Sequence, residues 1–113
     1  MFKFLEKRGV DIFLVITPEN IYAVFNFKRP RKKMLKGQRL FCAKIFVGEL
    51  SIQKFFDELR NWLETTTEDY LLERLDDSPN NSRPIINVTP RIKIDFNVVE
   101  EEVAILLPSQ SYS

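Results

Sequence analysis

The apolar residues of this 113-residue chain change period twice along its length, from two to a helical repeat and back again. The helical stretch is Leu50 to Glu64 (LSIQKFFDELRNWLE). There Ile52, Phe55, Phe56, Leu59, Trp62 and Leu63 recur at i, i+3, i+4, i+7, i+10 and i+11, which is one apolar face of a helix. Ser51 is a good N-cap, and Leu50 and Phe55 occupy the two positions of a hydrophobic staple. Lys54 stands where a capping box needs Glu or Gln, so the box is absent. Thr65-Thr66-Thr67 interrupts the pattern. Glu68 to Leu75 predicts a second, shorter helix capped by Thr66 or Thr67.

On either side the pattern is that of strands. Asp11 to Thr17 (DIFLVIT) is apolar and β-branched, as in a strand buried on both faces. Pro18-Glu19-Asn20 is a short loop in which Asn20 can take a left-handed conformation. Ile21 to Lys28 returns, with Ile21, Ala23, Phe25 and Phe27 on one face and Tyr22, Val24, Asn26 and Lys28 on the other. Arg39 to Val47 resumes the strand pattern and Gly48 ends it. The simplest geometry is a hairpin with residues 29 to 38 at its tip. Arg91 to Val98 alternates, with Ile92, Ile94, Phe96 and Val98 facing in, and Glu102 to Leu107 is its predicted hairpin partner. Met1 to Arg8 is an amphipathic lead-in with no assigned structure, and Asp76 to Arg83 (DDSPNNSR) is a loop.

The expected fold is α+β: a small antiparallel sheet, in chain order β-β-β-α-α-β-β, with the amphipathic helix packed on one face. Residues 1–108 form one domain and 109–113 a C-terminal tail, as the length suits a single core. Ten Phe supply much of the apolar area such a core needs.

The strongest functional signal lies in Lys28-Arg29-Pro30-Arg31-Lys32-Lys33-Met34-Leu35-Lys36-Gly37-Gln38-Arg39. Seven of these twelve residues are Lys or Arg, and no acid interrupts them. Crowding like charge on a hairpin tip costs self-repulsion, which falls when a polyanion displaces the counterions. Lys28, Arg29, Arg31, Lys32, Lys33, Lys36 and Arg39 are therefore the candidate binding residues. Their partner is either an acidic protein surface or a nucleic-acid backbone. The plainer reading is a solvated loop that aids solubility and discourages edge pairing. In a eukaryotic or viral cell the same residues would serve as a nuclear-localisation signal. Tyr22, Phe41 and Phe46 flank the segment. Exposed, they would extend a nucleic-acid surface by stacking; otherwise they belong to the core.

Charge divides the chain. Residues 1–44 carry eleven Lys/Arg and three Asp/Glu, a net +8, and residues 45–113 carry six and thirteen, a net −7. Such halves also suit self-association through complementary charge. The acids cluster at Glu64-Glu68-Asp69, Asp76-Asp77 and Glu100-Glu101-Glu102, with no calcium-loop pattern among them.

Enzymatic chemistry finds little support. The chain has no His, one Cys and three Gly, which removes histidine-based triads, cysteine metal clusters and Gly-rich phosphate loops. Cys42 sits between Phe41 and Ala43 in a predicted strand, the setting of a packed thiol. No cofactor or metal is expected. A single cysteine, no convincing leader and no span of membrane length point to an intracellular protein, cytoplasmic or nuclear. The expectation is a non-catalytic interaction or regulatory module that binds an anionic partner through the basic hairpin loop, with nucleic-acid binding by the Lys28–Arg39 arm as the alternative.

Overall fold

A computed structural model describes residues 2–28, 39–76, 83–98 and 100–104. The elements are β1 (Phe2–Lys7), β2 (Val10–Ile16), β3 (Ile21–Phe27), β4 (Arg39–Val47), α1 (Ile52–Thr65), α2 (Glu68–Asp76), β5 (Ile85–Thr89), β6 (Ile92–Asp95) and α3 (Glu100–Ala104). The strands form one antiparallel sheet in the order β1-β2-β3-β4-β6-β5. This is the expected α+β class. The predicted tail, 109–113, and the boundary at 108 lie outside the described residues.

Three elements differ from the sequence reading. The lead-in is the edge strand β1. A register shift between Lys3 and Leu5 breaks its alternation, so Phe4 and Leu5 sit side by side in sequence and hide the period of two. At the other end, β6 pairs with β5 rather than with Glu102–Leu107. The segment begins as the short helix α3, and residues 105–107 lie outside the described residues. β5 is only five residues long, between Pro84 and Pro90, and it too contains a shift, between Asn87 and Thr89. A short apolar run such as Val103–Leu107 has no period that tells helix from strand.

The inner face of the sheet carries the main core. Val10, Ile12, Leu14, Ala23, Phe25, Phe27, Phe41, Ala43, Ile45, Ile86, Ile92, Ile94 and Phe96 are buried there against Phe55, Leu59 and Leu63 of α1 and Leu71, Leu72 and Leu75 of α2. Phe25 and Phe96 meet at 5.2 Å between ring centres, and Phe27 and Phe41 at 5.7 Å. Ile52, although in register with the apolar face of α1, is exposed, and Trp62 is only partly covered.

Local chemistry sets the helix ends. The Ser51 hydroxyl accepts from Lys54 N at 3.2 Å, as an N-cap should. Thr65 and Thr66 both donate their hydroxyls to Trp62 O and close α1. Thr67, of the two candidates, caps α2 by accepting from Tyr70 N at 3.0 Å. The β2–β3 turn is held by the Thr17 hydroxyl, which donates to Asn20 O and accepts from Asn20 N, so Asn20 needs no left-handed backbone. Among the described residues only Gly9 has a positive φ, +85°, at the β1–β2 turn, where an added Cβ would run into the Glu68 carboxylate.

Candidate anion-binding surface

β3 and β4 pair without a shift from Ile21↔Ile45 to Phe27↔Arg39. The expected hairpin is therefore present, and the two ends of the basic segment meet at one end of the sheet. Arg29, Arg31, Lys32, Lys33 and Lys36 lie outside the described residues, and Arg39 is described through its backbone alone.

Lys28 is engaged within the protein. Its backbone N donates to Gly9 O at 2.8 Å, and its Nζ lies 3.2 Å from Asp11 Oδ2 and 3.8 Å from Glu6 Oε2. Lys3 Nζ joins the same carboxylates, 3.7 Å from Asp11 Oδ2 and 3.5 Å from Glu6 Oε1. Pairing explains the cluster. Glu6 opposes Asp11 and Asp11 opposes Asn26, so the three share one row across the outer face of β1, β2 and β3. The Asp11 side chain is only 9% exposed. Two lysines make that burial tolerable, since an unpaired buried carboxylate would be costly. Asp11 Oδ1 and Asn26 Oδ1 are buried with no hydrogen-bond donor among the described residues. The signal for this cluster was present in the sequence: Asp11 is the one charge inside an otherwise apolar strand.

Beyond the cluster, the outer face divides. Over β2 and β3, α3 covers it: Val103 packs with Val15, Tyr22 and Val24, joined by Phe13, Cys42 and Val98. Cys42 is half-buried there. Tyr22 Oη donates to Glu102 Oε2 at 2.7 Å. That hydrogen bond, together with burial and the Glu102 charge, raises the phenol above its ordinary 10.0. α3 also borders β4, where Cys42 joins that cluster, and no described element covers the rest of the face over β4, β6 and β5. Its outward rows are Leu40, Cys42, Lys44 and Phe46 on β4, Lys93 and Asp95 on β6, and Ile85 and Asn87 on β5. Leu40, Phe46 and Ile85 are about half exposed.

Of the three aromatic candidates, only Phe46 is available. Tyr22 and Phe41 are each 4% exposed, against 48% for Phe46. Lys44 Nζ lies 5.3 Å from the Phe46 ring centre, and Lys93 is the residue directly opposite Phe46 across the β4–β6 pair. Sequence reasoning missed both lysines, because isolated cations in strands carry no pattern until the pairing brings them together.

Among the described residues no three Asp, Glu or Cys come together as metal ligands. Asp77 and the side chains of Asp76 and Glu100 lie outside the described residues. Glu64, Glu68 and Asp69 line an open cleft of about 270 Å³ with Lys7, Arg8 and the three threonines, a lining of mixed sign. No helix among the described residues is long and apolar enough to cross a membrane. Compared with known proteins, the chain matches no family model, no curated sequence and no solved structure.

Proposed function

We propose that this chain is a non-catalytic binding module that meets an anionic partner through the basic segment of the β3–β4 hairpin. The observation that carries the reading is the unbroken register from Ile21↔Ile45 to Phe27↔Arg39. It brings both ends of a segment with seven Lys/Arg to one end of a packed sheet. Ion pairs from Lys28 to Asp11 and Glu6 anchor the root of that segment. This leaves Arg29, Arg31, Lys32, Lys33, Lys36 and Arg39 as the residues assigned to the partner. Concentrated positive charge gathers counterions, and their release on meeting a polyanion drives association that weakens steeply with salt. The single cysteine, Cys42, suits the reducing interior of a cell.

The test is capture from native lysate with immobilised protein, with and without nuclease, beside the variant Arg31→Ala, Lys32→Ala, Lys33→Ala, Lys36→Ala. The variant should melt at the wild-type temperature and lose the captured partner. Equal capture by both proteins would remove the arm from the mechanism.

A further inference from the structure

We propose that the open half of the outer sheet face, centred on Phe46 with Lys44 and Lys93, is a stacking site for single-stranded nucleic acid. This rests on the reading above, that the partner is anionic, and names its class.

The face has the two things a single strand needs. The first is an exposed aromatic ring, over which the mobile ammonium of Lys44 now lies and from which a base would displace it toward a phosphate. Phe46 is 48% exposed on a strand whose opposite side, Ala43 and Ile45, is packed in the main core, so the ring stands on a fixed support. The second is cationic charge on two sides of that ring. Lys44 is two residues away along β4, about 7 Å by strand geometry, and its Nζ already reaches to 5.3 Å from the ring centre. Lys93 lies directly across on β6, about 5 Å away at the level of Cβ. Neither lysine has a carboxylate within ion-pair distance among the described residues. The carboxylate on this part of the face, Asp95, is turned to Asn97, whose backbone N and side-chain Nδ2 both donate to its Oδ1, at 2.9 and 2.8 Å.

A nucleobase laid on Phe46 directs its two flanking phosphates outward. One falls toward Lys44 along the strand and the other toward Lys93 across it. Every base has a π-face, so the contact tolerates any sequence. In a duplex the bases are already stacked on one another, which leaves no face for the ring. An acidic peptide would satisfy the lysines but would leave the ring with no flat partner. The outward row Phe46, Lys44, Cys42, Leu40 runs along β4, past the edge of α3 at half-buried Cys42, to Arg39 and the root of the basic arm, roughly 23 Å from Phe46. A strand of several nucleotides fits that length, within the range of one small sheet domain.

The experiment is fluorescence anisotropy of labelled oligothymidylate of roughly 12 nucleotides, with a duplex of equal length, heparin and polyglutamate as competitors. The proteins are wild type, Phe46→Ala, Phe46→Leu, Lys44→Ala, Lys93→Ala and the arm variant. The expected result is that Phe46→Ala and Phe46→Leu each weaken oligothymidylate roughly ten-fold, within the range for loss of one stacked base, and leave heparin affinity unchanged. Each lysine variant should lower the log–log salt slope by about 0.7, one phosphate on a single strand. Leucine keeps the apolar area and loses the π-face, so a Phe46→Leu protein that binds like wild type would overturn stacking. Binding that depends on the arm and ignores Phe46, Lys44 and Lys93, or that prefers duplex or polyglutamate, would overturn this site and leave the anionic reading standing. Failure to bind any of the four polyanions would overturn both.

Discussion

The two halves of the outer sheet face use lysine in opposite ways. On β1–β3, Lys3 and Lys28 lean onto Asp11 and Glu6, within 3.2 to 3.8 Å, and shield a nearly buried carboxylate. On β4 and β6, Lys44 and Lys93 flank an exposed ring and no described carboxylate holds them in an ion pair. The first half is also roofed by α3, whereas α3 only borders the second at Cys42 and no other described element covers it. Charge counted along a chain is therefore not charge available to a partner. The N-terminal excess of +8 includes Lys3 and Lys28, matched inside the fold, as well as Lys44, which has no described ion pair.

Equivalent changes made in both halves test this contrast. The largest difference is expected from introducing the same charge on each side. Val24→Lys forces an ammonium under α3, at a residue 6% exposed, and should cost about 3 kcal/mol or more. Ile85→Lys, at a residue 51% exposed, should change stability by no more than about 0.5 kcal/mol. Urea unfolding of the two proteins reads both values, and equal losses would mean that the open half is covered in solution.

A smaller difference is expected from removing charge. Asp11→Ala strips the shared partner from Lys3 and Lys28 and should cost about 1–3 kcal/mol, moderated because both lysines can turn to water. The double variant Lys44→Ala, Lys93→Ala should stay within about 0.5 kcal/mol of wild type by the same measurement. If both pairs of lysines prove equally dispensable, the ion cluster does not anchor the hairpin root.

The smallest effect is confined to alkaline pH. The neutral Tyr22 phenol donates to Glu102, and its pKa is raised in the folded protein above 10.0. The contribution of this link is complete below the unfolded value and is lost as pH rises through the folded one. Melting temperatures followed from neutral pH past 10.0 should fall more steeply for wild type than for Tyr22→Phe, which cannot ionise. Parallel curves would show that Tyr22 does not hold α3 to the sheet.

Several of these features were legible before any coordinates. A continuous apolar, β-branched run marked β2, a strand pattern marked β3, β4 and β6, and Ser51 and the pair Thr66 or Thr67 marked helix starts, because hydrogen-bond capping and side-chain periodicity act over a few neighbouring residues. Register shifts in β1 and β5 defeated the same logic. One extra residue moves later side chains to the other face, and the local pattern then reads as noise. Within the candidate surface, the basic segment was visible as composition. The grouping of Phe46, Lys44 and Lys93 was not, since Lys93 is far from the other two in sequence and reaches them only through strand pairing.

What the sequence alone determined is local: which segments alternate, where the one long amphipathic helix begins and ends, and how densely positive charge is packed between positions 28 and 39. Tertiary structure decided which strand lies beside which, that residues 100–104 are helical rather than β6's partner, and which cations and rings are left over. Pairing across a sheet joins residues distant in the chain, and burial then determines whether a lysine faces a carboxylate or the solvent. Neither quantity is carried by any short stretch of residues.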